Sequence, residues 1–139
     1  MFRLILATII GYTLGKERKK NDKAGGSRTM AIVAMASCLI ALLTQEIALL
    51  NPDTHNFSRL MAYGIASIGF LGAGIISHHG QDVDGLTTAS TIWCLVPISY
   101  MIGLRCYFYG IVASLILYII LESKYWHQKG DSKWVSEKQ

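Results

Sequence analysis

Residues 60–93 read LMAYGIASIGFLGAGIISHHGQDVDGLTTASTIW. An apolar segment rich in small residues comes first, a short polar loop follows, and a second apolar segment opens on Gly-Leu-Thr-Thr. A helical step of 100° over residues 62–76 places two sets of small residues on roughly opposite faces, namely Ala62, Ala66, Gly69 and Ala73 on one and Gly64, Ser67 and Gly74 on the other. Because small residues let helix backbones approach closely in a membrane, this pattern predicts a central helix that is packed on two sides.

The composition of the whole chain is that of a polytopic membrane protein. Its 139 residues are enough for one domain, 52% of them are hydrophobic and only 16% are charged. The charges avoid the apolar segments and cluster at residues 16–28 and after residue 121. We therefore predict an all-α membrane helix bundle over residues 1–122, followed by a polar cytoplasmic tail over residues 123–139.

Five transmembrane helices are predicted, at residues 2–15, 29–50, 60–77, 86–102 and 106–121. Of the 13 Lys and Arg residues, only Arg3, Arg59 and Arg105 would lie outside, so the positive-inside rule puts the N-terminus outside and the C-terminus in the cytoplasm. A basic loop and the lack of a cleavage motif favour a retained first helix over a signal peptide. That helix would span only about 21 Å, which is less than the hydrocarbon core of a bilayer. Either the bilayer thins around it, or Arg3 reaches outward and Lys16 inward to the two interfaces. A start site assigned too late is the third alternative.

The two predicted inner loops carry most of the candidate functional charges. Residues 16–28 hold six Lys or Arg against two acids, which a topology signal explains most simply, with binding of anionic lipid head groups as the alternative. Together with residues 78–88 they are expected to form one inner surface. There, Arg18 or Arg28 would pair with Asp82, Asp84 or Glu17. An exposed pair of this kind is worth about 0–1 kcal/mol.

The fourth predicted helix carries three features that shape the inner surface and the bundle. Thr87 and Thr88 can cap its first turn or hydrogen-bond back to the backbone. Trp93 lies about two turns in, deeper than the usual aromatic belt, and is expected to pack against a neighbouring helix. Pro97 removes a backbone hydrogen bond and is expected to kink the helix.

Metal and enzyme chemistry find little support in the sequence. In the loop at residues 78–85, two adjacent histidines cannot easily share one tetrahedral metal, and Asp82 with Asp84 makes a weak cage, so a solvated loop is the simpler interpretation. The three cysteines fall in or beside apolar segments and are expected to be buried and reduced. No catalytic or nucleotide-binding motif is present, and the net charge of +4 needs no nucleic acid to explain it. We therefore expect no enzyme activity, no resident metal and no cofactor.

Four short motifs, in order, resemble the MgtC/SapB family of bacterial inner-membrane proteins. They are GKER at residues 15–18, GGSRT at residues 25–29, IGFLGAG at residues 68–74, and GLTTA at residues 85–89 followed by Trp93. The resemblance covers about residues 4–121 and corresponds to the transmembrane domain, without the soluble C-terminal domain of longer members. The motifs, together with Asp82 and Asp84 from the inner-loop charge argument, give a set of candidate functional residues: Glu17, Arg18, Gly26, Arg28, Thr29, Gly69, Phe70, Gly72, Gly74, Asp82, Asp84, Gly85, Thr87, Thr88 and Trp93.

The resemblance implies a multi-pass protein of the bacterial cytoplasmic membrane. It implies a regulator or interaction protein in Mg²⁺ homeostasis or in stress and virulence adaptation, with the ATP synthase, a transport ATPase or a second copy as partner. The alternative is a component of a Mg²⁺ or other cation transporter. Mg²⁺ dehydrates reluctantly and usually needs carboxylates, and the predicted spans hold none near the midplane, so the regulator is the favoured hypothesis.

Overall fold

The computed structural model describes residues 1–50, 57–79 and 82–136, with side chains described at residues 1–50, 59–78 and 83–123. The elements in chain order are α1 (Phe2–Lys20), α2 (Ser27–Leu50), α3 (Phe57–Ile75), β1 (Ser77–His79), β2 (Asp82–Asp84), α4 (Leu86–Gly103) and α5 (Tyr107–Ser136). The two short strands pair antiparallel, with His78 opposite Val83. The predicted all-α fold is confirmed, and the small hairpin between α3 and α4 is an addition to it.

Two helices in the described part of the chain are long and apolar enough to cross a membrane. They are Ser27–Leu50 and Leu86–Gly103, and shorter apolar helical segments lie at Arg59–Ile75 and Tyr107–Ser123. Helix α1 continues five residues beyond its predicted end, and its last turn is basic. Basic side chains stabilise the C-terminal end of a helix because that end carries a partial negative charge. Helix α5 likewise extends past its predicted end at residue 121. Five membrane crossings and their orientation stay predictions.

The central helix of the bundle is α4, and the prediction that α3 is central is wrong. Most residues of α4 are buried, including Ile92, Leu95, Val96 and Ile102, whereas Leu86, Trp93 and Met101 lie on one exposed side. The helix packs against α1, α2, α3 and α5. Because α4 contacts all four other helices, it forms the core of the bundle. Small residues on α3 indicated close approach to some neighbour, but they could not say whether that neighbour belongs to the same chain.

Helices α1 and α2 pack closely through glycine. A Cβ added at Gly11 would lie 2.5 Å from the carbonyl oxygen of Met30, and one added at Gly15 would lie 2.6 Å from the Cα of Ser27. Both distances are shorter than atoms in proteins tolerate, so only glycine fits at these two positions. The two glycines of α1, spaced four residues apart, are therefore used inside the chain, against the N-terminal half of α2.

The predicted meeting of the two inner loops is confirmed at Gly25. This residue has a φ of 77°, which favours glycine, and a Cβ there would lie 2.7 Å from Cγ2 of Thr88. Helix α4 itself begins after Gly85, which has a φ of 89°, so a left-handed glycine rather than a threonine occupies the N-cap position. The turn between α1 and α2 thus closes directly onto the first turn of α4.

Trp93 and the cysteines depart from the predictions. The indole is 52% exposed and lies on the outer surface of α4, so the prediction that it packs against a neighbouring helix of this chain is wrong. Cys38 is buried as expected, whereas Cys94 is half-buried and Cys106 is exposed, and all three are free. Pro97 lies inside α4, which continues through it to Gly103.

Candidate functional site

A buried polar cluster lies at the C-terminal end of α1, where Glu17, Arg18 and Asn21 meet. The Nε and Nη2 atoms of Arg18 donate to the two carboxylate oxygens of Glu17, the second bond at 2.6 Å. The Nδ2 atom of Asn21 donates to Oε1 of Glu17 at 2.7 Å and to the Glu17 carbonyl oxygen at 2.9 Å. Asn21 thereby ends α1 while it orients the carboxylate.

The Glu17–Arg18 pair is buried rather than exposed. The side chains of Arg18 and Glu17 retain only 7% and 2% of their accessible area. Of the pairings predicted for the inner surface, this is the one formed among the described residues, and its burial removes it from the class of weak surface ion pairs. Losing one partner would leave a charge buried without compensation, which is costly in a way that an exposed pair is not.

Beside this cluster lies a cleft of about 400 Å³. It is bounded by the end of α1, the β2 strand, the first turn of α4 and the inner part of α5, and its lining residues are Arg18, Asn21, Lys23, Val83, Asp84, Gly85, Leu86, Thr87, Thr88, Ile120 and Leu121. The structure therefore brings the predicted residues Arg18, Asp84, Gly85, Thr87 and Thr88 together. Asp84 stands exposed at this cleft, while the side chain of Asp82 lies outside the described residues. Both signs of charge are present, so the cleft has no strong preference for cations or anions.

Three further predicted residues, Gly26, Arg28 and Thr29, line a second cleft, which shares no lining residue with the first. This cleft measures about 530 Å³ and is lined by Tyr12, Lys19, Gly26, Ser27, Arg28 and Thr29. Its lining contains two cationic side chains and no acid. The single inner surface that the sequence predicted is therefore two clefts of different charge.

The predicted glycine residues of α3 divide between a packed face and an open face. Gly72 is buried, and a Cβ there would lie 3.7 Å from Cβ of Ala89 on α4. A Cβ at Gly69 or Gly74 would meet no atom of the described chain within 4 Å. The ring of Phe70 is 84% exposed. Helix α3 is thus packed on one side only, where the sequence predicted two.

Next to the open face of α3 runs an apolar groove of about 380 Å³. Its lining comes from α2, α3 and α4 and comprises Thr29, Val33, Phe70, Leu71, Ala73, Gly74, Ile75 and Ile92. The groove and the open glycine face are continuous through Phe70 and Gly74. Together they form a surface onto which another helix can pack closely.

The opposite end of the bundle holds an arrangement that sequence reasoning missed. The Nη1 atom of Arg3 donates to Oε1 of Gln45 and to the carbonyl oxygen of Gly103, both at 2.7 Å. An outward-reaching Arg3 was one of three alternatives for the short first helix, but the side chain turns inward and ties α1 to the ends of α2 and α4. The signal in the sequence was Gln45, a polar residue in an otherwise apolar span that needs a partner.

The interior of the bundle offers no ligand set for a metal ion among the residues that the structure describes. No group of three His, Cys, Asp or Glu side chains comes together there. Three buried hydroxyls on α2 and α4, those of Ser37, Thr91 and Ser99, donate to carbonyl oxygens one turn earlier in their own helix. Their hydrogen-bonding capacity serves the helices rather than a path across the bundle.

These features define the class: a small apolar helix bundle of the membrane-protein type with a polar cluster at the C-terminal end of α1. The chain belongs to the MgtC family, whose model matches residues 4–129, and this confirms the resemblance seen in the sequence. YhiD of Escherichia coli, named as a candidate magnesium transporter, is 34% identical over 126 residues, covering 88% of this chain and 59% of that protein.

Two further relatives extend this comparison. Protein MgtC of Salmonella typhimurium is 33% identical over 117 residues, covering 84% of this chain and 48% of that protein. An uncharacterized protein of Synechocystis is 31% identical over 119 residues, covering 86% of this chain and 49% of that protein. The chain therefore spans about half to three-fifths of the length of the curated relatives that it matches. No solved structure matches it.

Proposed function

We propose that this chain is an integral protein of the bacterial inner membrane that serves Mg²⁺ homeostasis, or stress and virulence adaptation, by contacting other membrane proteins. Its membership of the MgtC family and the name of the relative YhiD support the link to Mg²⁺. The ATP synthase and transport ATPases are the first partners to test, and a second copy of the chain is another.

The observation that carries this proposal is the open face of α3. Gly69 and Gly74 leave room for a close backbone approach, and Phe70 projects beside them. Apolar burial gives little drive for association inside a bilayer, so helix pairing depends on close packing of small residues and on weak hydrogen bonds. A transmembrane helix of a partner is the occupant that such a face fits best.

The interior of the bundle supports contact over conduction. Mg²⁺ is usually held through carboxylates and keeps several waters. In the described part of the chain, Glu17 is the buried carboxylate, and Arg18 and Asn21 already occupy its oxygens. Glu46 is exposed near the end of α2. A hydrated divalent cation would therefore find no free carboxylate along the packed core.

Crosslinking from the open face tests the proposal. A photoreactive amino acid at Phe70 should capture a membrane protein in native membranes, and one at Ile65, which is packed against the core, should not. Mass spectrometry of the captured band identifies the partner or a second copy. Capture of lipid alone from position 70 would overturn the proposal.

The alternative function is a component of a Mg²⁺ or other cation transporter. The name of YhiD favours it, as does the carboxylate of Asp84 at the mouth of the inner cleft. Purified protein in liposomes should show no saturable Mg²⁺ or H⁺ flux above that of protein-free vesicles. Robust flux by the chain alone would replace the contact hypothesis with this one.

A further inference from the structure

The cleft between the end of α1 and the start of α2 is lined by positive charges alone, whereas the other cleft also contains the carboxylate of Asp84. Lys19 and Arg28 come from different helices and line the same space, about 530 Å³ in volume. Neither forms an ion pair with a carboxylate in the part of the chain that the structure describes, where Glu17–Arg18 is the pair that forms. Two like charges held together favour an anion between them.

The surface below these two cations is apolar on both helices. On α1, residues spaced as one helical face and more than half exposed lead up to Lys19; they are Ile5, Ile9 and Tyr12. On α2, a matching set of exposed residues leads up to Arg28; they are Ile32, Met35, Leu39 and Leu43. Each cation therefore caps an exposed apolar stripe.

Tyr12 lines the cleft at the boundary between the two regions. It lies seven residues before Lys19 on the same face of α1, and its ring is 51% exposed. Tyrosine at such a boundary has an apolar ring toward hydrocarbon and a hydroxyl toward head groups. Along the surface toward the cleft, an apolar stripe comes first, then the tyrosine ring with its hydroxyl, and then the paired cations.

We infer that this cleft binds the head group of an anionic phospholipid of the inner leaflet, whose acyl chains lie along the two stripes. The phosphate matches Lys19 and Arg28, and hydroxyls of Ser27 and Thr29 add donors beside it. Basic pockets between helices on the cytoplasmic side are suited to such head groups. The inference rests on the membrane placement in the proposed function, but it does not depend on which partner α3 contacts.

A lipid titration with charge-matched variants tests the inference. The full chain in neutral detergent is titrated with phosphatidylglycerol, and bound lipid is counted by native mass spectrometry. Lys19→Gln with Arg28→Gln should weaken binding roughly 30-fold, since each cation near a phosphate contributes a factor of about 5. Lys20→Gln with Lys23→Gln removes the same charge from exposed positions outside the cleft and should weaken it by less than about 3-fold.

Three results would overturn the inference. Equal weakening in both double variants would mean diffuse attraction, and unchanged binding in the Lys19–Arg28 variant would mean a different site. Competition by glycerol 3-phosphate at the same concentration as the lipid would mean a small-anion site. The single variant Arg28→Gln, expected to weaken binding about 5-fold, serves if the double variant fails to fold.

The failure of the inference and that of the proposed function give different results. Fractionation of cells shows whether the chain is in the membrane, and both ideas fail if it is not. If it is in the membrane and crosslinks a partner from position 70 but binds no phosphatidylglycerol, only the lipid site is wrong.

Discussion

Helices α1 and α3 both carry small residues at helical spacing, yet the chain uses them differently. The space beside Gly11 and Gly15 of α1 is occupied by the backbone of α2, whereas a side chain added at Gly69 or Gly74 of α3 would point into open space. The same sequence pattern therefore marks an internal contact in one helix and an available surface in the other. Spacing alone does not distinguish the two, because both need only the absence of a side chain.

The attachment of the two helices to the bundle differs as well: α1 is held more firmly than α3. Helix α1 is tied at one end by Arg3 to Gln45 and Gly103, and near its other end Gly15 packs against the backbone of Ser27. Helix α3 is held by packing and by the hydroxyl of Tyr100, which donates to the carbonyl oxygen of Met61 at 3.1 Å. Helix α1 is thus locked into the bundle, and α3 rests against it.

The largest expected effect is that of Glu17→Ala on the locked helix. The change leaves the Arg18 guanidinium buried without its partner, which costs about 3–5 kcal/mol. The free energy of unfolding in mixed micelles, measured by titration with a denaturing detergent, should fall by that amount. Glu17→Ala with Arg18→Ala removes both charges and should lose less than the single variant. A larger loss in the double variant would show that the pair is not the source of the effect.

Gly15→Leu should be the next most damaging change. The new side chain meets the backbone of Gly26 and Ser27, which cannot move without parting α1 from α2. Overpacking of this kind typically costs about 1–3 kcal/mol. The same unfolding titration measures it, and Gly15→Ala should show a smaller loss. An unfolding free energy equal to that of the wild type would mean that α1 and α2 are not in close contact.

Arg3→Met should lower the free energy of unfolding by about 2 kcal/mol. The change removes charge-assisted hydrogen bonds and leaves Gln45 and the Gly103 carbonyl without this donor. Arg3→Lys keeps the charge and one or more donors and should recover part of the loss. Unfolding titrations of the three proteins make the comparison. If Arg3→Met is as stable as the wild type, Arg3 does not tie α1 to α2 and α4.

Gly69→Leu should have the smallest effect on stability, although the substitution is the one made at Gly15. No atom of the described chain lies within 4 Å of a Cβ added at Gly69, and leucine favours a helix over glycine by up to about 1 kcal/mol. The unfolding free energy should therefore be unchanged or slightly raised. A loss comparable to that of Gly15→Leu would mean that the face of α3 is closed within the chain.

The helices were predictable because long apolar segments separated by charged or glycine-containing loops leave few alternatives. Each of the five predicted segments corresponds to a helix, and α4 begins at the predicted residue, although the third helix ends at Ile75 and Ser77 belongs to β1. The end of α1 was placed too early, because the Lys and Arg residues after Gly15 were assigned to a loop. In fact they continue the helix, since long cationic side chains are good helix formers.

The arrangement of the helices was less predictable. Nothing in the composition of α4 distinguishes a helix buried by its own chain from one facing lipid, since both are apolar, and α3 was wrongly made central for that reason. The pairing of Arg18 with Glu17 was among the predicted options, but its burial was not, because burial depends on how Gly25 brings the inner turn onto Thr88. The division of the inner surface into a balanced cleft and a basic cleft depends on the same turn.

Growth under Mg²⁺ limitation, in cells that carry Gly69→Leu and Gly74→Leu in place of the native chain, tests the central claim most directly. Protein levels and the unfolding free energy should match those of the wild type. Under Mg²⁺ limitation these cells should nevertheless grow like a deletion strain, because the leucine side chains keep a partner helix away from α3. Wild-type growth at wild-type protein levels would contradict the claim that the open face of α3 is where this protein acts.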